Sequence, residues 1–343
     1  MIIKPYEFWH PRIFELPFYC YLAWQCLRLR LPVTTLAKAN SALDHGEIGI
    51  GSKFHTQNQF NQQHFLPTEL LTGEKTIEQK REAITAFAAI HGYPVILKPD
   101  IGMVGKGIIK LADVGELDGC LDKLVGEYLL QKFTPYQFEC GIFYVRKNGQ
   151  AQITGINQKH FPTVTGNGVD SLLTLAKNHY RYTHHWSTFL RYFDTSRVPK
   201  SGETICLSFI GSHTMGCKFT DDTHCLTDAL QLAVFAIFEQ QPAFNFGRLD
   251  VKAESLEALQ RGEFVVIEIN GISSLPTHMF DPDNSLVEAY KIFFRHGKYL
   301  AEIAHENRHK PMKLMRLSAV LKKVKSNQQL LDVMHEDLKG GSV

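Results

Sequence analysis

Apolar residues recur along the chain with two different spacings, and these spacings predict helices and strands. Between residues 76 and 91 they fall three or four positions apart, which predicts a helix that Gly92 and Pro94 end. Residues 228–240 show the same spacing and predict a second strong helix. Helical patterns also occur near residues 116–127 and 169–178 and in the tail after residue 310. Short apolar or alternating runs predict strands over 94–98, 107–111, 128–133, 137–146, 246–252 and 264–270.

A lysine and three glycines lie between the first two of these strands. The stretch VILKPDIGMVGKGI covers residues 95–108, and Lys98 ends its first strand. The glycines are Gly102, Gly105 and Gly107. A hairpin with such a long glycine loop leaves several backbone N–H groups unpaired, which suits an anion such as a phosphate. Taken alone, the stretch is equally compatible with an ordinary flexible hairpin.

Polar side chains interrupt the last two predicted strands. Asp250 stands in GRLDVK, and Glu268 and Asn270 stand in VVIEING. Residues two apart in a strand share a face, so Glu268 and Asn270 project together. If the strand with Asp250 is the antiparallel neighbour, three oxygen ligands converge, as a magnesium-nucleotide site requires. Ordinary polarity at strand ends is the alternative for any one of these residues.

Together these motifs resemble the ATP-grasp family of carboxylate-amine ligases, such as D-alanine-D-alanine ligase and cyanophycin synthetase. The resemblance covers about residues 53–296. It rests on four stretches in family order, YPVILKPDIGMVGKGI, YLLQKFTPYQFECGIFYV, GRLDVK and VVIEINGISSLPTH. A looser match, FPTVTGNGVDSLLTL followed by RVPKSGETICL, is most similar to the cyanophycin synthetase branch. The resemblance implies an α+β (α/β) ATP-grasp fold, in which two α+β lobes enclose Mg-ATP.

The resemblance also implies a role for each matching residue. Lys98 would touch the ATP phosphates and Arg248 would steady an acyl phosphate, so both are candidate catalytic residues. The implied metal ligands are Asp250, Glu268 and Asn270. The implied ATP-binding residues are Lys53, Lys98, Gly102, Gly105, Gly107, Gln131, Lys132, Phe133, Thr134 and Glu139.

Several of these ATP-binding roles are specific. Lys53 stands where the family has an earlier phosphate lysine, and Glu139 matches the ribose-binding glutamate. The adenine hinge resembles Gln131-Lys132-Phe133, with the backbone of residues 132–134 facing the adenine edge. Many family members have glutamate at the position of Gln131, so here the amide oxygen would have to contact the adenine amino group.

The implied reaction is the ATP-dependent formation of an amide bond, with two Mg²⁺ ions expected and Mn²⁺ as an alternative. A substrate carboxylate would attack the γ-phosphorus, and an amine would then displace phosphate from the acyl phosphate. Two alternatives stay open. One is an ATP-grasp kinase or phosphotransferase, and the other is a non-catalytic nucleotide-binding protein attached to a membrane.

The pattern divides the chain into four regions. An atypical, aromatic-rich N-terminal region is predicted over 1–72, where most family members have an open α/β domain that helps bind the carboxylate substrate. A lobe with the glycine loop and hinge follows over 73–147, a C-terminal lobe with the metal strands over 148–305, and a helical basic tail over 306–343. Because the first region departs from the family, the resemblance does not imply which acid and amine are used.

The N-terminal region contains the longest apolar segment, residues 14–27. Glu15 and Pro17 interrupt it and arginines follow it, and it is too short to span a bilayer. One interpretation is a helix that docks on the main domain. The other is a helix in a membrane interface, in which residues 8–31 contact a membrane or a lipid-linked substrate.

Composition limits the partners and the compartment. The 37 lysines and arginines nearly balance the 35 aspartates and glutamates, so no overall field draws the chain to nucleic acid. The expected partners are the small-molecule carboxylate and amine substrates that the resemblance implies. The seven cysteines include no C-x-x-C pair, which favours free thiols over a disulfide framework or zinc site. The N-terminus lacks signal-peptide features. We therefore expect a cytoplasmic protein, at the inner membrane face if residues 8–31 contact lipid, and a homodimer stays open.

Overall fold

The computed structural model describes residues 5–49, 51–102, 105–181, 193–213 and 216–339. Residues 103 and 104 of the predicted glycine loop lie outside the described residues. The N-terminal region contains helix α1 (Pro11–Arg28) and the short helix α2 (Lys53–Gln57). Its 3-10 turns are Pro5–Phe8, Val33–Ala39, Asp44–Glu47 and Gln62–His64.

Four antiparallel strands form the first sheet, with the spatial order β1-β4-β2-β3. The strands are β1 (Thr68–Leu71), β2 (Val95–Pro99), β3 (Ile109–Leu111) and β4 (Tyr128–Lys132). Helices α3 (Ile77–His91) and α4 (Asp118–Leu121) complete this lobe, with a 3-10 turn at Val114–Glu116. The hairpin predicted on either side of the glycine loop is confirmed, because β2 and β3 pair antiparallel.

Of the two helices predicted in this lobe, one has its predicted length and the other is shorter. Helix α3 begins at a capping box between Thr76 and Gln79 and ends before Gly92, which has a φ of 78°, so the helix predicted over 76–91 is confirmed. The helix predicted near 116–127 is much shorter. Gly126 has a φ of 80°, which a right-handed helix does not allow, and the chain leaves α4 after Leu121.

The second lobe is built on a five-stranded antiparallel sheet and a separate two-stranded ladder. Its strands are β5 (Phe138–Lys147), β6 (Gln150–His160), β7 (Thr163–Thr165), β8 (Thr204–Cys206), β9 (Lys218–Asp221), β10 (Phe246–Ala253) and β11 (Val265–Asn270). The large sheet has the order β11-β10-β5-β6-β9, and β7 pairs with β8. The α+β fold class predicted from the sequence is confirmed.

The remaining helices of the described chain follow β6 in sequence, and not all of them pack on the large sheet. They are α5 (Leu172–Lys177), α6 (Asp228–Glu239), α7 (Leu256–Gln260), α8 (Leu286–Glu306) and α9 (Leu317–Lys339), with 3-10 turns at Thr223–Cys225 and Thr277–Phe280. Helix α6 packs on one face of the sheet in a large apolar core. On the other face, Val145 and Phe246 pack with α1 and α8 in a second core. The polar residues of β10 continue along this second face.

Helix α1 docks on α8 through one face. The rings of Phe18 and Phe293 stack with centroids 4.0 Å apart, and Tyr290 donates a hydrogen bond to the carbonyl of Phe14 at 2.9 Å. The docked-helix interpretation is therefore confirmed for this face of α1. In the described part of the chain, no helix combines the length and apolarity needed to cross a membrane.

The sheets divide the chain at other points than the sequence suggested. Strand β1, at Thr68–Leu71, joins the first sheet although it precedes residue 73. Strand β5 pairs with β10 and β6 in the second sheet, so the predicted boundary between residues 147 and 148 falls inside the β5–β6 hairpin. The turn of this hairpin, at residues 148–149, has the sequence Asn-Gly. Such turn residues also occur at boundaries between lobes, so the sequence suggested a boundary here. Residues 133–137, which connect the sheets, separate the lobes better.

Candidate active site

Four polar side chains share one face where β10 and β11 pair. Asp250 lies opposite Glu268, and Arg248 lies opposite Asn270. The register shifts after Asp250, so that Ile267 is an extra residue on β11 and forms a bulge. The strand with Asp250 is thus the antiparallel neighbour of the strand with Glu268, as expected from the sequence. Directly opposed residues of an antiparallel pair point to the same face, so the four side chains lie together.

Asp250 is buried and surrounded by donors. Arg248 donates to its two oxygens at 2.8 and 2.9 Å, and the amide nitrogen of Asn270 donates to it at 3.0 Å. Lys159 Nζ lies 3.4 Å from Oδ1. Burial alone would raise the pKa of Asp250, but the charges of Arg248 and Lys159 outweigh it and lower that pKa. Asp250 is therefore held as a buried anion by donors from three side chains.

Glu139 is also buried and lies between two lysines. Lys159 Nζ donates to Oε1 at 2.8 Å, and Lys252 Nζ lies 3.3 Å from Oε2. Burial raises the pKa of Glu139, but these two charges reverse the effect and lower it. Gly211 covers the carboxylate so closely that a Cβ there would lie 1.9 Å from Oε1. A ribose hydroxyl could reach Glu139 only if it displaced one of these neighbours.

Lys98, at the end of β2, crosses from the first lobe to the second. Its Nζ donates to the side-chain oxygen of Gln131 at 3.1 Å and to the carbonyl of Ile267 at 2.8 Å. That carbonyl belongs to the bulge of β11. Burial lowers the pKa of Lys98 to about 8, although the charge of Glu268 acts in the opposite direction. Among the described residues, Lys98 forms no ion pair with a carboxylate, so its buried charge is only partly compensated.

Lys53 reaches the same area from the N-terminal region. Its Nζ donates to the carbonyl of Gly102 at 2.7 Å and to that of Asp100 at 3.2 Å, and it lies 4.0 Å from Glu268 Oε1. Asp100 itself accepts the N–H of Phe54, the residue after Lys53. These contacts attach α2 to the start of the glycine loop, beside the acid of β11.

The glycines of the loop have conformations that other residues adopt poorly. Gly105 and Gly107 have φ values of 78° and 75°. A Cβ at Gly107 would also lie 2.6 Å from the ring of Pro99, so the loop returns close to β2. Gly102 is already held by Lys53. The described parts of the loop therefore begin at the contact with Lys53 and return to Pro99 at the end of β2.

The predicted hinge begins with the last two residues of β4, Gln131 and Lys132, and continues into Phe133. The side chain of Gln131 accepts from Lys98 and donates to Thr68 Oγ1 at 3.0 Å and to the Ile267 carbonyl at 3.3 Å. The backbone N–H of Lys132 donates to the carbonyl of Pro67 at 3.0 Å. An adenine edge would therefore have to contact the backbone of residues 133–134, where Thr134 is buried. The Lys110 ammonium lies over the Phe133 ring at 4.2 Å.

Gly141 of β5 forms the floor between the acidic and basic groups. A Cβ there would lie 2.4 Å from Asn157 Oδ1, 2.9 Å from Arg248 Cδ and 3.0 Å from Asp250 Oδ1. Neither amide atom of the buried Asn157 has a hydrogen-bond partner among the described residues. Leaving a buried amide unpaired is costly, so these two atoms are open to hydrogen bonds with a water molecule or a ligand.

Three residues of this site escaped the sequence reasoning. Lys159 and Asn157 share a face of β6, two positions apart, a signal that was visible in the alternation of that strand. Glu47 is buried and accepts the N–H of Gly271 at 2.8 Å and a hydrogen bond from Thr56. Burial raises its pKa, with partial opposition from these bonds and from Lys53. The position of Glu47 between Gly46 and Gly49 carried no comparable signal.

The structure brings most of the predicted set together. Arg248, Asp250, Glu268 and Asn270 form one cluster, and Lys53, Lys98 and Gln131 meet it at the β11 bulge. Glu139 joins through Lys159. Lys132 is exposed, and its side chain has no described contact with the cluster. The arrangement places cations of one lobe against anions and amides of the other.

No protein-family model matches the chain, and no curated protein matches it. Among solved structures it is similar to a bifunctional glutathione synthetase from Pasteurella multocida, with 15% identity and a TM-score of 0.36 over 71% of this chain and 36% of that one. It is also similar to D-alanine-D-alanine ligases from Helicobacter pylori and Bacillus anthracis. The first has 17% identity and a TM-score of 0.38 over 71% of this chain and 60% of that one. The second has 12% identity and a TM-score of 0.43 over 84% and 71%.

These three enzymes are ATP-grasp proteins, and the likeness concerns the fold alone. The chain spans less than two thirds of the length of the first two. At these identities and TM-scores the likeness is distant, and it assigns no substrate or activity to this chain.

Proposed function

We propose that this protein is an ATP- and Mg²⁺-dependent ligase that activates a carboxylate as an acyl phosphate and joins it to an amine. The observation that carries the proposal is the meeting of the two lobes. Lys98 and Gln131 of the first sheet donate to the bulge of β11, directly beside Glu268. A nucleotide triphosphate between the lobes would contact phosphate-binding cations on one side and oxygen ligands for its metal on the other.

The proposed nucleotide site uses groups that lack a strong anionic partner. Lys98 is bonded to neutral oxygens only, and Lys53 is bonded to two carbonyls with Glu268 at 4.0 Å. The glycine loop between Gly102 and Gly107 would supply backbone N–H groups. Adenine would contact the backbone of residues 133–134 and the amide of Gln131.

The proposed metal ligands fit magnesium by their chemistry. Asp250, Glu268 and Asn270 offer carboxylate and amide oxygens, which Mg²⁺ and Mn²⁺ prefer. The unpaired amide of Asn157 and the carboxylate of Asp250 both border the space that a Cβ at Gly141 would occupy. When bound there, the metal would neutralise phosphate charge and orient the γ-phosphoryl group. Because Arg248 already donates to both oxygens of Asp250, a metal ligand role requires the carboxylate to share them.

Arg248 is the group proposed to act at the reacting centre. Its side chain is 17% exposed, and its guanidinium carbon lies 5.8 Å from the centroid of the Phe143 ring. The guanidinium is therefore fixed and partly desolvated. A guanidinium placed beforehand stabilises the negative charge of an acyl phosphate without reorganisation. Lys159 would hold Asp250 ionised while Arg248 turns to the substrate, because it contacts both Asp250 and Glu139.

The proposal is tested by the release of ADP and phosphate. Purified protein with ATP and Mg²⁺ should release both products only when an acid and an amine from a metabolite pool are supplied together. Arg248→Ala should lower turnover by about 10²–10³-fold while ATP binding changes little. Glu268→Gln should abolish turnover. Lys177→Ala, at the exposed end of α5, is the matched control.

Other outcomes would replace the proposal by one of its alternatives. ADP with a phosphorylated acceptor and no need for an amine would indicate a kinase or phosphotransferase. Tight nucleotide binding without turnover in any pool would indicate a binding protein. Full activity of Glu268→Gln would contradict the metal assignment.

We also propose that the protein is cytoplasmic. The seven free thiols support this location, because thiols stay reduced in the cytoplasm.

A further inference from the structure

Helix α1 carries a second apolar face in addition to the one that docks on α8. Its members are three or four residues apart, so they form one straight stripe along the helix. Four of them are 53–77% exposed. We call these residues the α1 stripe: Ile13, Leu16, Cys20, Trp24 and Leu27. An exposed apolar surface of this length marks a site of interaction.

The packing of α1 fixes the stripe toward solvent. Phe14, Phe18 and Leu22 are buried on the opposite side of the helix. Phe18 stacks on Phe293, and Gly297 leaves room for its ring, since a Cβ there would lie 2.8 Å from it. The helix therefore cannot rotate to cover the stripe without emptying a core, and the partner must come from outside the described chain.

The charges at the ends of the stripe are mainly positive. Arg12 is exposed at its beginning, and Arg28 and Arg30 follow its end. Arg28 lies 3.6 Å from Glu302, but the same carboxylate is contacted by Lys147 at 2.6 Å and by Lys298 at 3.9 Å. One acid thus faces three cations there.

The acid of the helix itself, Glu15, does not balance these charges. It is only partly exposed and accepts a hydrogen bond from Tyr19 at 3.1 Å, on a side away from the stripe. Trp9 is 43% exposed just before α1, and Trp24 lies near its end. Amphipathic rings beside an apolar face with flanking arginines are typical of a helix that lies in a membrane interface.

We propose that the α1 stripe binds the surface of an anionic lipid bilayer, with α1 parallel to the membrane. The aliphatic and indole side chains would enter the region between headgroups and acyl chains, and the arginines at both ends would contact anionic headgroups. The protein would thus be a peripheral membrane protein whose candidate active site shares a sheet face with the docking helix, through Phe246 and Arg248 of β10.

A second copy of the chain complements this surface less well. The stripe is centred on Cys20, so antiparallel pairing of two stripes would bring Arg12 next to Arg28 of the other copy. Parallel pairing would bring each arginine next to its own counterpart. Like charges in contact oppose association, whereas anionic headgroups attract every one of them.

Flotation with vesicles tests the proposal on the full chain. The protein should float with vesicles of phosphatidylcholine and phosphatidylglycerol in equal parts and bind vesicles of phosphatidylcholine alone at least about fivefold more weakly for each arginine in contact. The difference should shrink in high salt. Arg12→Ala and Arg28→Ala should each weaken binding to the anionic vesicles only.

Two substitutions of exposed residues distinguish binding through the α1 stripe from nonspecific adsorption to the vesicles. Leu16→Glu with Leu27→Glu should reduce binding by more than about tenfold, because two charges would enter the apolar zone. The matched control is Ile90→Glu with Leu232→Glu, which changes aliphatic residues of similar exposure on α3 and α6. Both double variants should keep the unfolding temperature of the wild type.

Tryptophan fluorescence gives an independent readout. The chain has three tryptophans, and Trp186 lies outside the described residues. In a Trp186→Phe background, the emission of Trp9 and Trp24 should shift to the blue with anionic vesicles and stay unchanged without them. Absence of both flotation and shift in the wild type would overturn the proposal. So would a dimer in sedimentation velocity that Leu16→Glu with Leu27→Glu dissociates, because the stripe would then bind a second copy.

Discussion

Lys98 is a cation at a place where burial opposes its charge. It contacts the neutral oxygens of Gln131 and Ile267, and burial lowers its pKa from 10.5 to about 8. A phosphate within contact distance would restore the charged form and raise the pKa again. We therefore expect a polyanion that enters between the lobes to raise the pKa of Lys98.

Nucleotide affinity should consequently depend on pH. Above pH 8 the free protein loses the proton of Lys98 while the complex keeps it, so binding takes up a proton and the affinity for ATP falls as pH rises from 8 to 10. Calorimetric titration at pH 7 and pH 9 measures this effect. Lys98→Met, which keeps the side-chain volume, should bind ATP weakly at both values. An unchanged affinity in this variant would separate Lys98 from the nucleotide.

Gly141 is a site residue without a side chain. The amide of Asn157, the chain of Arg248 and the carboxylate of Asp250 converge on the space that its missing Cβ would occupy. Position 141 thus shapes the site by leaving it open.

Gly141→Ala should lower turnover sharply, because the methyl group would push Asp250 and Arg248 from their positions. Gly119→Ala is the matched control, since a Cβ at Gly119 on α4 meets nothing within 4 Å. The control should keep its activity and gain about 0.5–1 kcal/mol in the free energy of unfolding. Steady-state rates and urea unfolding compare the two. Equal activities would show that the opening at Gly141 is not needed for catalysis.

At the level of elements, helix α1 combines two apolar faces with different burial. Phe18 is buried against Phe293, whereas Leu16 on the α1 stripe is 59% exposed. The residue types are similar, so only the position on the helix separates a core residue from a surface residue.

This difference predicts a clear contrast in stability. Phe18→Ala should lower the free energy of unfolding by about 3–5 kcal/mol, because it leaves a cavity between α1 and α8. Leu16→Ala should change it by less than about 0.5 kcal/mol. Urea unfolding monitored by circular dichroism measures both. A large loss for Leu16→Ala would mean that its side is covered in the isolated protein.

At the level of the whole molecule, the candidate site depends on both sheets at once. The N–H of Leu66, just before the first sheet, donates to the carbonyl of Val266 at 3.2 Å, and Lys98 and Gln131 donate to Ile267 beside it. Strand β11 is therefore the place where the lobes are joined.

ATP with Mg²⁺ should stabilise both lobes together. At a concentration one hundred times its Kd, a ligand that binds only the folded state adds about 2.7 kcal/mol. A single thermal transition should move upward with ATP and Mg²⁺, and EDTA should remove most of the shift. Two transitions of which ATP moves one would show that the nucleotide contacts one lobe only.

The sequence by itself determined the local elements and much of the candidate chemistry. Spacing identified α3, the β2–β3 hairpin and its glycine loop, and the strands of Asp250 and Glu268, because side-chain periodicity is a property of neighbouring residues. The order of the motifs was sufficient to indicate nucleotide chemistry. The exact length of α4 and the lobe boundary were not, since both depend on contacts with distant strands.

Only the tertiary structure decided how the groups meet. The bulge at Ile267 turns its carbonyl to Lys98 and keeps Glu268 opposite Asp250, and it arises from pairing between strands. Lys159 joins two acids from β5 and β10 for the same reason. Likewise, the apolar pattern of α1 predicts a helix, but packing on α8 decides which face is left for a membrane. Register and packing are settled by residues far apart in the chain, and local spacing does not encode them.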